Sequence, residues 1–228
     1  MQDQLRRKAQ QALNKKASLG EEIDLDQFSA GGKEHPYLDK LEELAEEDKE
    51  DMLIAGVDTS EKERTGSFIL EDNTVVHASV FQEGLEVLGT ADALKKYDWL
   101  QDYYWNLVEI DTDKYTAKAG LEGEGGYFIR ALPGVKAVYP IQACMFIAQE
   151  GLLQSARNII IVEEGADLHL ITGCTTGRHI GSGMHIGITE IYVKKNAKLS
   201  FTMVHNWGEE VVVRPRTVSV VEDGGTYL

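Results

Sequence analysis

The rhythm of apolar positions changes near residue 120. Before it the spacing is mostly helical: Leu5, Ala9, Leu13 and Ala17 recur every four residues with Arg6, Arg7, Lys8, Lys15 and Lys16 on the other faces, which predicts an amphipathic helix over 3–17. Pro36 suits the first turn of a second helix through Leu38, Leu41 and Leu44, and Gly31-Gly32 marks a loop ahead of it. GSFILEDNTVVHASV, ending at Val80, predicts a hairpin that turns at Asp72-Asn73. A third helical stretch spans about 89–107; its Tyr97, Trp99, Tyr103, Tyr104 and Trp105 read as a packing surface without chemistry. Beyond Gly120 short β-branched runs end in turn residues, so a helical and mixed segment over 1–120 is separated there from a second unit over 121–228.

That second unit repeats. IRALPGVKAVY from Ile129, IIVEEGADLHL from Ile160 and IYVKKNAKLSF from Ile191 begin 31 residues apart, each a strand, a tight turn at Gly134, Gly165 or Asn196, and a second strand. SVVEDGGTYL, turning at Asp223-Gly224, starts a further copy. One such coil cannot bury its apolar face alone, whereas stacked coils can, so the predicted fold is mainly β: a right-handed parallel β-helix behind an α-rich N-terminal segment. An antiparallel sandwich is the alternative, but it would show closer strands and no fixed register between distant segments. Alternate residues of a strand share a face. Val162, Ala166, Leu168, Leu170, Thr172 and Cys174 therefore point inward, and 31 residues later so do Val193, Ala197, Leu199, Phe201, Met203 and His205. Cys174 and His205 are thus expected to stack on neighbouring strands about 4.8 Å apart, with Trp207 next on that face. Cys144 falls one place out of this register and should face away.

Charge narrows the partners. With 23 basic and 38 acidic residues the net charge is −15, which disfavours nucleic acid and anionic membranes. No run approaches the roughly 18 apolar residues of a membrane span, and MQDQLRRKAQQALNKKASLG lacks the apolar stretch of a signal peptide, so a cytoplasmic location is expected. Two cysteines make no disulfide framework and read as reduced thiols.

IIIVEEGADLHLITGCTT, followed by MHIGITEIYVKKNAKLSFTMVHNW, resembles the core of the SufB/SufD family, in which a strand–turn–strand ends in Gly-Cys-Thr and a later strand ends in Asn-Trp. GGYFIRALPGVKAVYPI is similar to the family's entry into its first coils, and the likeness covers about residues 120–221. The resemblance implies a non-enzymatic β-helical scaffold that works with a SufC-like ATPase and carries an iron–sulfur cluster transiently. It implies that Cys174 receives sulfur and that Trp207 lies on the route along the interior. His205 stands where the family usually has Gln, and Arg216, or Arg214, approximates a basic residue of that route. Phe146 and Ala148 occupy the positions of an Arg-x-Asn pair in SufB. His185 lies near a position where the family often has His. The family continues past the coil in which Leu228 lies, into a C-terminal helical domain, so the chain reads as an N-terminal part or truncated paralogue. Its uncapped edge is expected to pair with a SufB/SufD-type partner or with another copy of itself.

Plainer roles compete with each of these. Cys174 suits a persulfide carrier or, with His205, a metal ligand, and equally a buried inert thiol. His179 and His185 flank GRHIGSGMH, which lacks the context of a phosphate cradle and reads as a long turn between coils. His35, His77 and His169 read as solvated or structural, and EELAEEDKED as a solvated acidic helix face. Two other functions stay open: an interaction module that has lost cluster chemistry, and a carbohydrate-active enzyme. The latter needs clustered carboxylates, yet Glu163, Glu164 and Asp167 look like ordinary turn acids.

Overall fold

A computed structural model describes residues 2–122 and 125–228. In chain order its elements are α1 (Gln2–Ala12), α2 (Glu46–Ile54), β1 (Gly66–Glu71), β2 (Thr74–Val80), β3 (Leu85–Gly89), α3 (Thr90–Lys96), α4 (Lys114–Glu122), β4 (Tyr127–Ala131), β5 (Ile141–Ile147), β6 (Leu152–Val162), β7 (Asp167–Thr176), β8 (Ser182–Val193), β9 (Lys198–Asn206), β10 (Glu210–Val213), β11 (Arg216–Val221) and β12 (Thr226–Tyr227).

The repeat folds as a parallel β-solenoid of about three turns. In one sheet β4, β6 and β8 stack in register, Phe128 on Ile159 on Glu190, with β10 and β11 continuing from β8. In the other, β5, β7 and β9 stack Ile141 on Leu170 on Phe201, with β12 beyond β9. The rung spacing is 31 residues from β4 through β6 to β8, as in Asn158 on Thr189, and shortens from β8 to β11, where Arg216 lies on Ile188. At the β5–β7 step it shortens to 29, as in Ile141 on Leu170. In-register pairing keeps inward residues stacked on inward residues at each step.

Residues before 120 supply strands to both sheets. β1 pairs in parallel with β5, β2 closes on β1 as the expected hairpin, and β3 runs antiparallel to β4. The hairpin turns at Asp72, whose φ of 53° lies in the left-handed region that short polar residues tolerate.

The space between the sheets is filled by inward residues of every rung, among them Phe68, Met145, Ala156, Ile160, Leu168, Leu170, Cys174, Ile191 and Leu199. Each fully buried aliphatic side chain contributes about 1.5–3 kcal/mol of hydrophobic stabilisation. The outer faces are also covered. Residues of α1 and α4 pack on Leu153, Met184, Ile186 and Ile188, and the aromatic run 97–104 packs on Phe128, Ile159, Ile161 and Tyr192.

Three helical expectations change. α1 stops at Ala12 rather than 17, because Lys15 leaves the helix to bond the α4 end of the molecule: its carbonyl accepts from Lys114 N–H and its Nζ donates to the carbonyl of Asp111. No helix starts at Pro36. The segment is extended along β2, with Leu38 N–H donating to Val76 O, before a 3-10 turn at Leu41–Glu43. Leu38, Leu41 and Leu44 are apolar because they pack into one cluster with Ile69, Val76, Cys144 and Phe146 of the second sheet, not because they line one helix face. The stretch 89–107 breaks into α3 and a 3-10 helix over Asp98–Tyr103.

The cover over the second sheet approaches closely at Gly173, an outward position of β7. A Cβ there would lie 2.6 Å from the carbonyl oxygen of Ala55 and 2.6 Å from a methyl of Val57. Gly173→Ala is expected to cost about 1–3 kcal/mol through overpacking, read as a lower urea midpoint with unchanged slope. An unchanged midpoint would contradict the packing of residues 55–57 on β7.

Candidate functional site

The site begins at the β1–β2 turn. Asp72 is fully buried; its carboxylate accepts from Ala148 N–H at 2.8 Å and contacts His35 Nε2 at 2.7 Å, and the Gln149 amide also donates to it. The turn's carbonyl oxygen accepts from Gln154 Nε2 at 2.6 Å, while Phe146 O accepts from the same nitrogen at 3.0 Å. Both amide hydrogens of Gln154 are thereby used. Its Oε1 is left to accept from His185 Nδ1 at 2.8 Å, one rung on.

Because Oε1 is an acceptor only, the imidazole carries its proton on Nδ1 and leaves a lone pair on Nε2. Gly187, the next inward residue of β8, makes room for the ring: a Cβ there would lie 2.8 Å from His185 Nε2. The Trp207 ring lies 5.0 Å from the imidazole, and its indole N–H has no partner among the described residues. Burial, reinforced by the nearby His205, pulls the His185 pKa from 6.5 down to about 3.

His185, Cys174 and His205 line one luminal cavity of about 20 Å³, together with Tyr127, Asn158 and Thr172. That is room for about one water molecule. Cys174 is opposite His205 in the β7–β9 ladder, as the repeat predicts. The thiol is buried and its pKa is pushed up to about 12 by desolvation. His205 is exposed, its ring 6.3 Å from Trp207. Cys144 faces away as expected, packed under the second sheet's cover beside Phe146 and Ile69, with its thiol pKa also raised by burial.

Arg216 does not join this group. It stands opposite Ile188, an outward position, and its Nη2 bonds Asp113 Oδ2 at 2.6 Å beside the Tyr115 ring. Arg214 likewise turns outward and donates to Glu21 O. Phe146 faces outward too, so the inward neighbour of Cys174 one rung back is Met145. His179 is exposed in the β7–β8 turn, while neighbouring Arg178 anchors that turn to Asp51 of α2. Sequence reasoning missed Gln154, although stepping the repeat back 31 residues from His185 finds it.

Among known proteins, the family model described as the SUF system FeS cluster assembly, SufBD core domain, matches residues 145–227. An iron–sulfur cluster assembly SufBD family protein of Methanothermobacter thermautotrophicus is 49% identical over 229 residues, covering 97% of this chain and 55% of that protein. The chain belongs to the SufBD family. A SufBD family protein of Archaeoglobus fulgidus is 46% identical over 79% of the chain and 48% of its own length. SufB of Bacillus subtilis is 31% identical over 78% of the chain and 40% of its own length. This SufBD chain therefore spans about half the length of the curated relatives it matches.

In this SufBD chain the lumen favours neutral groups. Between pH 6.5 and about 3 an unfolded chain takes up a proton at His185 that the folded one refuses, so this group's contribution destabilises the fold progressively as pH falls through that window and vanishes above it. Nitrogen-detected NMR near pH 5, below the ordinary imidazole range, is expected to show His185 neutral and protonated on Nδ1. In Gln154→Leu that tautomer preference should be lost. A charged ring, or one protonated on Nε2, in the unaltered protein would contradict the assignment.

Proposed function

We propose that this SufBD chain serves as a scaffold, not an enzyme, in iron–sulfur cluster assembly, acting in the cytoplasm with a SufC-type ATPase and a SufB- or SufD-type partner. The observation that carries this reading is the luminal cavity that Cys174, His185 and His205 all line, within the region matched by the SufBD core. A thiol and two imidazoles are soft and borderline donors suited to iron and to sulfur. The cluster is cargo in this reading. Once deprotonated, Cys174 either attacks the outer sulfur of a persulfide donor, whose thiolate leaves, or ligates a cluster iron; His205 supplies a second donor, and Gln154 holds His185 with its Nε2 lone pair free. The names of the relatives, all assembly proteins, support the pathway.

Two observations favour a second reading, an interaction module without cluster chemistry. Desolvation keeps Cys174 a neutral thiol, and among the described residues no three metal-binding side chains converge on one point. Anaerobic reconstitution with ferrous iron and sulfide separates the two. A visible chromophore that disappears in Cys174→Ala, with folding retained, is the expected result. A chromophore of equal intensity in that variant would overturn the role of Cys174, and none in the unaltered protein would favour the module.

A further inference from the structure

Residues 29–38 lie as a strap over the β1–β2 turn. Ser29 N–H donates to Gly151 O, Lys33 N–H donates to Gln149 Oε1 at 3.2 Å, and Leu38 N–H donates to Val76 O. Between these ties Gly32 sits close against the turn: a Cβ there would lie 3.0 Å from Gln149 Nε2 and 3.6 Å from the Asp72 side chain. The strap's half-buried side chain is His35. Of the described histidines it alone meets two carboxylates, with Nε2 2.7 Å from Asp72 Oδ2 and Nδ1 3.1 Å from Glu71 Oε1.

Those two contacts count the protons. The buried Asp72 already accepts from Ala148 N–H and from the Gln149 amide, and a carboxylate only accepts, so His35 Nε2 is the donor on that side. A neutral imidazole has one donor nitrogen, which leaves a lone pair on Nδ1 facing an oxygen of Glu71. That contact attracts only when a further proton sits between the two atoms, on the ring or on the carboxyl. Desolvation raises the Glu71 pKa, against the opposing pull of His35, which helps the pair to keep the proton. The cover adds more negative charge from Asp48 of α2, whose own pKa is raised by burial and by Glu47. The cations on that side are engaged elsewhere, Lys49 with Glu46 and Arg178 with Glu50 and Asp51. On the strap itself Lys33 and Glu34 are exposed and opposite in charge.

We propose that residues 29–38 form a proton-linked latch, in which one proton shared by His35 and Glu71 holds the strap closed over Asp72 and its loss opens the strap. The pair titrates as a unit. Because the closed strap binds that proton more tightly than the open one, the latch is fully engaged on the acid side and is lost as pH rises through the pair's titration. Opening admits water to the carboxylate of the turn whose carbonyl holds Gln154. Hydrogen exchange of the full chain, corrected for intrinsic rates and followed from about pH 5 to about pH 9 across the ordinary imidazole range, tests the latch at the Lys33 and Leu38 amides. Their protection is expected to fall about tenfold in one transition, the value of a charged hydrogen bond, beyond any change at the amides of β6. Glu71→Gln keeps the shape and supplies an amide that can donate to a bare Nδ1, so it should hold the strap closed throughout and abolish the transition. His35→Ala should leave the strap open throughout, with protection lower by about the same factor. Protection independent of pH in the unaltered chain, a transition that persists in Glu71→Gln, or full protection in His35→Ala would each overturn the latch.

Discussion

Parallel strands stacked in register hold side chains of like parity about one strand spacing apart, near 4.8 Å, and each added rung must continue the pattern or expose its apolar face. Everything distinctive in this molecule follows from that constraint. It lets β5 and β7 differ by 29 residues where β7 and β9 differ by 31, since in-register pairing keeps like faces together at either offset. It places Cys174 beneath His205 and Gln154 beside His185 without any local motif joining them.

The same stacking dries the lumen, and a dry lumen selects protonation states. Cys174 is held as a thiol and His185 as a free base for one reason, the cost of charge away from water. Chemistry at Cys174 requires its thiolate, so a proton must leave. His185, whose Nε2 lone pair is free, lines the same cavity, but pulled down to about 3 it is too weak a base to take a proton from a thiol pushed up to about 12. Gln154 sets that lone pair, and the Asp72 turn sets Gln154, so a hairpin outside the repeat reaches the luminal cavity through two buried hydrogen bonds.

Legibility in the sequence followed periodicity. The coils, their inward residues and the opposed faces of Cys144 and Cys174 were readable because strand parity survives any even change in coil length. Leu38, Leu41 and Leu44 misled because a three-residue spacing imitates a helix when the leucines pack on a sheet. β1 and β3 join the sheets without sharing the repeat, so pairing across a long separation left no local mark. Arg216 was assigned by approximate position in a loop of altered length, and its outward parity shows only once β11 is aligned with β8. The Arg157–Glu190 pair carried a signal that went unused, opposite charges inside otherwise apolar strands.

The register of β7 against β9 is the point on which the rest turns, and a disulfide reports it directly. Neighbouring in-register strands bring Cα atoms within the span a disulfide accepts, about 4.4–6.8 Å. In a Cys144→Ser background, His205→Cys should form an intramolecular bond with Cys174 on mild oxidation, detected by peptide mass spectrometry, while Val204→Cys, opposite Gly173, should not. Bonding by Val204→Cys in preference to His205→Cys, or by neither, would contradict the shared lumen.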